Sequence, residues 1–211
     1  LLIDYLVEMF KYLEQVQVIA SPASGGNPTG SGLYTAGTTA RLEANPNQGW
    51  KFTSWSDGNT NRSHTVPVPE HDVTYTAHYI QLGTVTGLAN PTNAGTVTGG
   101  GTYEVGTKVW LTAVPAEETG TGTEWEFRHW NDGTTNNPYQ ITVPNYDVTY
   151  TATFEEMVEV EPEAEPTWGG YVTGKGTYPV GTEVWLVATP FSGWRFAGWF
   201  LAALALIAAG G

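Results

Sequence analysis

Cysteine is absent from the sequence, and basic residues are scarce, with 8 lysines and arginines against 21 aspartates and glutamates. Without cysteine the chain can form no disulfide framework, no zinc-thiolate site and no thiol nucleophile. The formal net charge of −13 would repel a phosphate backbone, and no basic patch offsets it. We therefore predict that the chain does not bind nucleic acid.

Motifs that organise chemistry are also missing. The sequence has no Gly-x-Ser-x-Gly nucleophile elbow, no phosphate-binding loop and no dinucleotide fingerprint. The histidines are not spaced as metal ligands, and they are His64, His71, His78 and His129. We therefore predict a protein that is not an enzyme, with no catalytic residues, no cofactors and no metal site.

Long apolar stretches are missing as well. The apolar run from Trp199 to Ala209 spans 11 residues, whereas a helix needs about 20 to cross a bilayer. We expect no complete membrane span. The run fits three interpretations: the start of an anchor in a longer chain, a packed helix or strand, or a stretch of poorly determined sequence.

Glycine and tryptophan are abundant, with 26 glycines and nine tryptophans in the sequence. Together with many threonines and few leucines or lysines, this composition favours short strands joined by tight turns over a helical core. We therefore expect a mainly β fold, in which buried aromatic side chains provide the packing that disulfides provide elsewhere.

One pattern recurs three times with the same residue types at the same spacing. It reads Gly-x-Gly-x-Tyr-x-x-Gly-Thr-x-x-x-Leu-x-Ala-x-Pro and is followed by Trp-x-Phe-x-x-Trp. The three copies begin at Gly30, Gly99 and Gly174 and end at Trp55, Trp130 and Trp199. Copies one and two close with the same segment, Asp72–Ala77 and Asp147–Ala152, which copy three lacks. The aromatic residues of the motif are predicted to form the core of each module rather than a sugar-stacking platform.

The pattern and its flanks divide the chain into six predicted segments. An amphipathic helix over 1–16 precedes repeat modules at 17–80 and 81–154, an extended acidic linker at 155–166, an incomplete module at 167–200 and an apolar segment at 201–211. Apolar side chains recur along the helix at steps of four and three, and these are Leu2, Leu6, Met9, Leu13 and Val16. Because such a stripe needs a cover, we expect self-association into a homo-oligomer or filament.

Trp110 and Trp185 form a candidate interaction surface. They occupy the face opposite Val109 and Val184 on their predicted strands, where copy one has Arg41. Such tryptophans contact another module or subunit, bind a protein or glycan ligand, or are partly buried.

The string from Tyr103 through Trp-x-Phe-x-x-Trp-x-Asp-Gly to Asp147-Val-Thr-Tyr-Thr-Ala-x-Phe resembles the internalin-type B repeat and its divergent bacterial relatives. The likeness covers roughly 17–200. It implies small, β-grasp-like modules in tandem on bacterial surface or secreted proteins, acting as stalks, spacers or adhesive modules. It implies no catalytic residues.

These observations predict a non-enzymatic structural or adhesive repeat protein, extracellular or at the cell surface. One alternative is a subunit of a self-assembling filament or virus-particle fibre, and another is a carbohydrate-binding module of a larger secreted protein. Because copy three lacks a closing strand, we expect it to be completed by a neighbouring subunit, by 200–209 folding back, or by residues beyond this sequence.

Overall fold

The computed structural model describes residues 12–117 and 124–200, and these residues are mainly β, as predicted. Copy one contains β1 (Leu13–Ser21), a short 3-10 helix (Ala23–Gly25), β2 (Gly32–Thr35), β3 (Thr39–Glu43), β4 (Trp50–Trp55), β5 (Ser63–Pro67) and the first half of β6 (Val73–Asn90). Copy two contains the second half of β6, β7 (Gly95–Thr98), β8 (Gly101–Glu104), β9 (Lys108–Pro115), β10 (Glu124–Trp130), β11 (Tyr139–Thr142) and the first half of β12 (Val148–Val160). Copy three contains the second half of β12, β13 (Gly170–Thr173), β14 (Gly176–Pro179) and β15 (Val187–Pro190).

Each complete module is built on a four-stranded sheet. In module one, β2 pairs antiparallel with β1, β1 pairs parallel with β6, and β4 pairs antiparallel with β6. In module two, β8, the second half of β6, β12 and β10 repeat this arrangement. A second, smaller sheet packs on one face of the four-stranded sheet. It consists of β3 and β5 in module one and of β7, β9 and β11 in module two.

The core of each complete module lies between the four-stranded sheet and the smaller sheet. Val16, Trp55 and Tyr79 of the first sheet pack with Leu42 and Val66 of the smaller sheet. Module two repeats the cluster with Val85, Trp130, Phe154, Leu111 and Ile141. Alternate positions of the strands supply these side chains, as the period-two pattern of the sequence predicts.

The Gly-x-Gly-x-Tyr motif shapes the turn that leads into β2, and the same turn before β8 and β14. Gly30 has φ +117°, and a Cβ there would lie 2.6 Å from the Arg41 carbonyl oxygen, so the chain approaches β3 too closely for a side chain. The Tyr34 hydroxyl donates to the Gly30 carbonyl at 3.0 Å. Equivalent bonds join Tyr103 to Gly99 and Tyr178 to Gly174. The motif therefore fixes the same turn in all three copies.

The predicted N-terminal helix is wrong where the structure describes it. Leu13 and Val16, two members of its apolar stripe, lie in strand β1, and Val16 is fully buried in the core of module one. The parallel ladder with β6 and the buried site for Val16 outweigh the helical spacing of the sequence, since a helix this short is marginal without tertiary packing. Leu2, Leu6 and Met9 lie outside the described residues.

The acidic segment predicted as a linker is built differently. Residues 155–160 belong to β12, and Val158 and Val160 pair with Tyr178 and Gly176 of β14. The remainder aligns with the first strand of the other copies, because Val-x-x-x-Ala-x-Pro occurs at 16–22, 85–91 and 160–166. Polar and apolar residues alternate through 159–165, with the glutamates exposed and Pro162 and Ala164 half-buried. The segment is therefore divided: 155–160 form the end of β12, and 161–166 have no strand assignment.

Candidate interaction surfaces

The second tryptophan of each Trp-x-Phe-x-x-Trp motif is a core residue in the complete modules, as predicted, whereas the first, Trp50 or Trp125, is half-buried against the core. Trp55 and Trp130 are 1% and 0% exposed, and each indole N–H donates to a backbone carbonyl, of Asn61 at 2.9 Å and of Asn136 at 3.0 Å. Phe52 packs on Trp55 with ring centroids 5.5 Å apart. These rings are therefore not available to stack on a sugar.

Trp110 points out of module two. It lies on β9 opposite Gln140 of β11 and is 56% exposed, whereas its neighbours Val109 and Leu111 are buried. The equivalent position in module one holds Arg41, which pairs with Glu43 at 2.8 Å on the surface. Trp110 is thus an exposed aromatic side chain on the outward face of β9, which it shares with Lys108, Thr112 and Val114.

Trp185 occupies the same repeat position in module three and is 86% exposed. The adjoining β15 begins only at Val187, whereas β9 begins at Lys108, before Trp110. In module two β9 pairs with β11. The counterpart of β11 in copy three lies outside the described residues. The two candidate tryptophans therefore lie on consecutive modules and do not form one continuous site.

A conserved arrangement closes the turn after each buried tryptophan. In module one the Asp57 carboxylate accepts the Asn59 N–H at 3.1 Å and contacts His64 Nε2 at 2.7 Å. In module two Asp132 accepts the Thr134 N–H at 2.9 Å and the Tyr139 hydroxyl at 2.9 Å. Partial burial raises the pKa of both carboxyls, but these hydrogen bonds outweigh it and hold each pKa below its usual range.

The junction between modules is a continuous strand. β6 has 18 residues, of which the first pair with β1 and β4 and the last with β8 and β12. The Leu82 N–H, in the second half, donates to the Gly49 carbonyl of module one at 2.8 Å. Lys51 of module one and Glu104 of module two lie 3.4 Å apart. Sequence reasoning placed a boundary at 80 and missed this shared strand, although no proline interrupts the chain between Val73 and Asn90.

In module three the counterparts of two buried core residues are exposed. Leu186 is 36% exposed and Trp199 is 54% exposed, whereas their counterparts Leu42 and Trp55 are 0% and 1% exposed. Among the residues that the structure describes, no strand takes the place that the first half of β6 or β12 takes in a complete module. The core residues of copy three are therefore more exposed than their counterparts in the complete modules.

The chain matches one family model, described as the divergent InlB B-repeat domain, over residues 16–82, 84–158 and 160–208. The chain belongs to the divergent InlB B-repeat family. The predicted resemblance is thereby confirmed. The boundaries of the B-repeat matches fall within β6 and β12, at the points where one module passes into the next.

One solved structure similar to this B-repeat chain is "Streptococcal High Identity Repeats in Tandem (SHIRT) domains 3-4 from cell surface protein". It is 13% identical, covers 69% of this chain and 98% of its own, and has a TM-score of 0.21. No curated protein matches the chain.

Residues 12–117 and 124–200 contain no group of three histidine or acidic side chains placed to hold a metal ion. Within that part of the chain no helix has the length and apolarity to cross a bilayer.

Proposed function

We propose that the chain is a stiff, non-catalytic spacer of a bacterial surface or secreted protein, located outside the cell. The observation that supports this role is the shared strand between modules. To bend the chain at residue 81 or 155 would break ladder hydrogen bonds on both sides of the junction, so consecutive modules resist reorientation. A spacer needs this property and needs no site for chemistry.

The strand register gives the distance by which each module extends the array. Val16 lies beside Val73, and its counterpart Val85 lies twelve residues further along β6. Val85 lies beside Val148, and its counterpart Val160 again lies twelve residues further along β12. At about 3.3 Å per residue, each module advances by roughly 40 Å. The step is the same although copy two is longer, because the extra residues are in a loop.

Small-angle X-ray scattering of the full chain tests the proposal. We expect a rod-like profile whose maximum dimension falls when Gly-Ser-Gly-Ser is inserted between Gln81 and Leu82, since the insert uncouples the two halves of β6. The matched control carries the same insert after Glu117, in the lengthened loop of module two, and should scatter like the parent. Equal, compact profiles for all three proteins would contradict a stiff spacer.

We also propose Trp110 and Trp185 as contact points for a protein or glycan, because both side chains are more than half exposed. A glycan array and a surface-protein binding screen with the parent and with Trp110→Ala would test this adhesive role. Loss of a bound ligand in the variant supports it. An unchanged binding profile would assign the ligand to another surface.

A further inference from the structure

The outward face of the smaller sheet in module two places one aromatic ring among polar side chains. Trp110 lies on β9 and is 56% exposed, and Gln140 of β11, also exposed, lies directly opposite it. Lys108 and Thr112 of β9 share the face of Trp110, because side chains two residues apart along a strand point the same way, at a spacing of about 6–7 Å. We call Lys108, Trp110, Thr112 and Gln140 the Trp110 platform.

The chain on the other side of Trp110 carries no side chain. Strand β7 ends at Thr98, which lies opposite Thr112, so the residues that follow it beside β9 are Gly99 and Gly100. A Cβ at Gly99 would overlap the Trp110 carbonyl oxygen, so this position requires glycine. The indole therefore has Gln140 on one side and bare backbone on the other, which leaves room for a flat ligand beside the ring.

Module one forms the same kind of sheet without the platform. Its counterpart of Trp110 is Arg41, which pairs with Glu43 on the surface. Leu42 and Leu111, which follow Arg41 and Trp110 in the chain, are both fully buried. An exposed tryptophan at this place is therefore not required to build a module.

The composition of this face suits a sugar better than a protein. The core of a protein interface is a contiguous apolar patch, whereas the other exposed apolar side chain on this face of β9, Val114, is separated from Trp110 by Thr112. A pyranose ring has an apolar face of C–H groups that packs on an indole and an edge of hydroxyls that needs hydrogen-bond partners. Gln140 and Thr112 provide an amide and a hydroxyl beside the ring.

Lys108 adds a positive charge to the platform. The other basic residue of module two, Arg128, pairs with two glutamates. Lys108 is exposed and forms no ion pair with any of the residues that the structure describes. Copy three keeps the tryptophan as Trp185 but has Glu183 in the place of Lys108. A positive charge beside the exposed indole is therefore specific to module two.

We propose that the Trp110 platform binds a glycan through a pyranose residue that carries a carboxylate, such as a uronic acid or a sialic acid. The apolar face of the sugar packs on Trp110, its carboxylate lies beside Lys108, and its hydroxyls bond to Gln140 and Thr112. An exposed ammonium–carboxylate pair is weak, so the indole supplies most of the affinity and Lys108 supplies the preference for an acidic sugar. This proposal rests on the contact role proposed above for Trp110 and names its ligand.

The test is an NMR titration of the isotope-labelled full chain. It follows the indole N–H signal of Trp110, identified as the signal that is missing from the spectrum of Trp110→Ala. The probes are trigalacturonate and sialyllactose, with the methyl ester of each as its uncharged counterpart. We expect a saturable shift with an acidic probe and binding about fivefold weaker for its ester, a preference that shrinks in high salt. The acidic probe that binds more tightly identifies the source of the sugar.

Two variants distinguish the charge beside the ring from the charge of the whole chain. Lys108→Gln should keep the shift but lose the preference for acid over ester, because the indole remains. Arg41→Gln removes the same charge from the corresponding face of module one and should change neither. Trp110→Ala should weaken binding about tenfold or more, measured by saturation transfer to the sugar, at an unchanged melting temperature.

No shift with any of the probes would overturn the proposal, and so would equal binding of each acid and its ester. Equal effects of Lys108→Gln and Arg41→Gln would mean that net charge alone decides the preference, which also contradicts it. If a protein ligand is lost in Trp110→Ala while no sugar binds, the contact role of Trp110 stands and the glycan is wrong.

Discussion

Tyr79 and Phe154 hold the same place in modules one and two and differ by one hydroxyl. Both rings are buried and pack edge-on against a phenylalanine, Phe52 in module one and Phe127 in module two. The Tyr79 hydroxyl is buried, and among the described residues it has no hydrogen-bond partner. Burial also raises the pKa of that hydroxyl. A buried polar group without a partner lowers stability.

We therefore expect Tyr79→Phe to stabilise module one by about 1 kcal/mol, because it removes an uncompensated polar atom and keeps the ring. The reverse change, Phe154→Tyr, should destabilise module two by a similar amount. Urea unfolding of both variants, followed by tryptophan fluorescence, checks the pair. A loss of stability in Tyr79→Phe would mean that the hydroxyl has a partner.

The lowered pKa of Asp57 predicts acid sensitivity. Its carboxylate accepts hydrogen bonds in the folded module, so the folded pKa lies below the ordinary value of 3.8. A lowered folded pKa contributes stability that is fully present above pH 3.8 and is lost as the pH falls through the folded pKa. Asp57→Asn, which keeps an acceptor, should be less stable than the parent at pH 6 and lose less stability below pH 4. Parallel pH profiles of melting temperature for both proteins would contradict this.

At the scale of elements, two glycines in module one distinguish two reasons why a turn requires glycine. One is a positive φ, and the other is a lack of room for a side chain. Gly30 and Gly37 both have positive φ, +117° and +80°. A Cβ at Gly30 would lie 2.6 Å from the Arg41 carbonyl and 2.8 Å from Leu42, whereas a Cβ at Gly37 would meet nothing within 4 Å. At Gly30, in the turn before β2, both the positive φ and the crowding disfavour a side chain. At Gly37, in the turn before β3, only the positive φ does.

Gly37→Ala should cost about 1–2 kcal/mol, the penalty of a left-handed conformation alone. Gly30→Ala should cost more, because β3 must also move away from the new methyl group. Thermal unfolding of the two variants against the parent checks the order. Equal losses of stability in the two variants would show that β3 can move away from the new methyl group without a free-energy penalty.

At the scale of the whole molecule, the leucine at one repeat position differs in exposure from module to module. Leu42 and Leu111 are fully buried, and Leu186 of module three is 36% exposed. Leu42→Ala and Leu111→Ala should each cost about 2–5 kcal/mol, as truncations in a closed core do. Leu186→Ala should cost clearly less. A cost for Leu186→Ala that equals the other two would show that module three is covered in solution.

The sequence by itself determined the modules. The spacing of Gly30, Tyr34 and Trp55 and its recurrence predicted tandem β modules with buried tryptophans, because glycine at a crowded turn and an indole in a core are local requirements. The exposed face of Trp110 followed from simple alternation along β9.

Tertiary structure decided how the modules are joined and what lies at their ends. Val16 fits a helical stripe in the sequence, but a parallel partner strand and a buried site place it in β1. The charge of 155–166 indicates a linker, but 155–160 lie in β12, where Val158 and Val160 pair with β14. Parallel pairing joins residues far apart in the chain, such as Val16 with Val73. Local periodicity carries no information about such a partner, so only the folded sheet could show that β6 serves two modules at once.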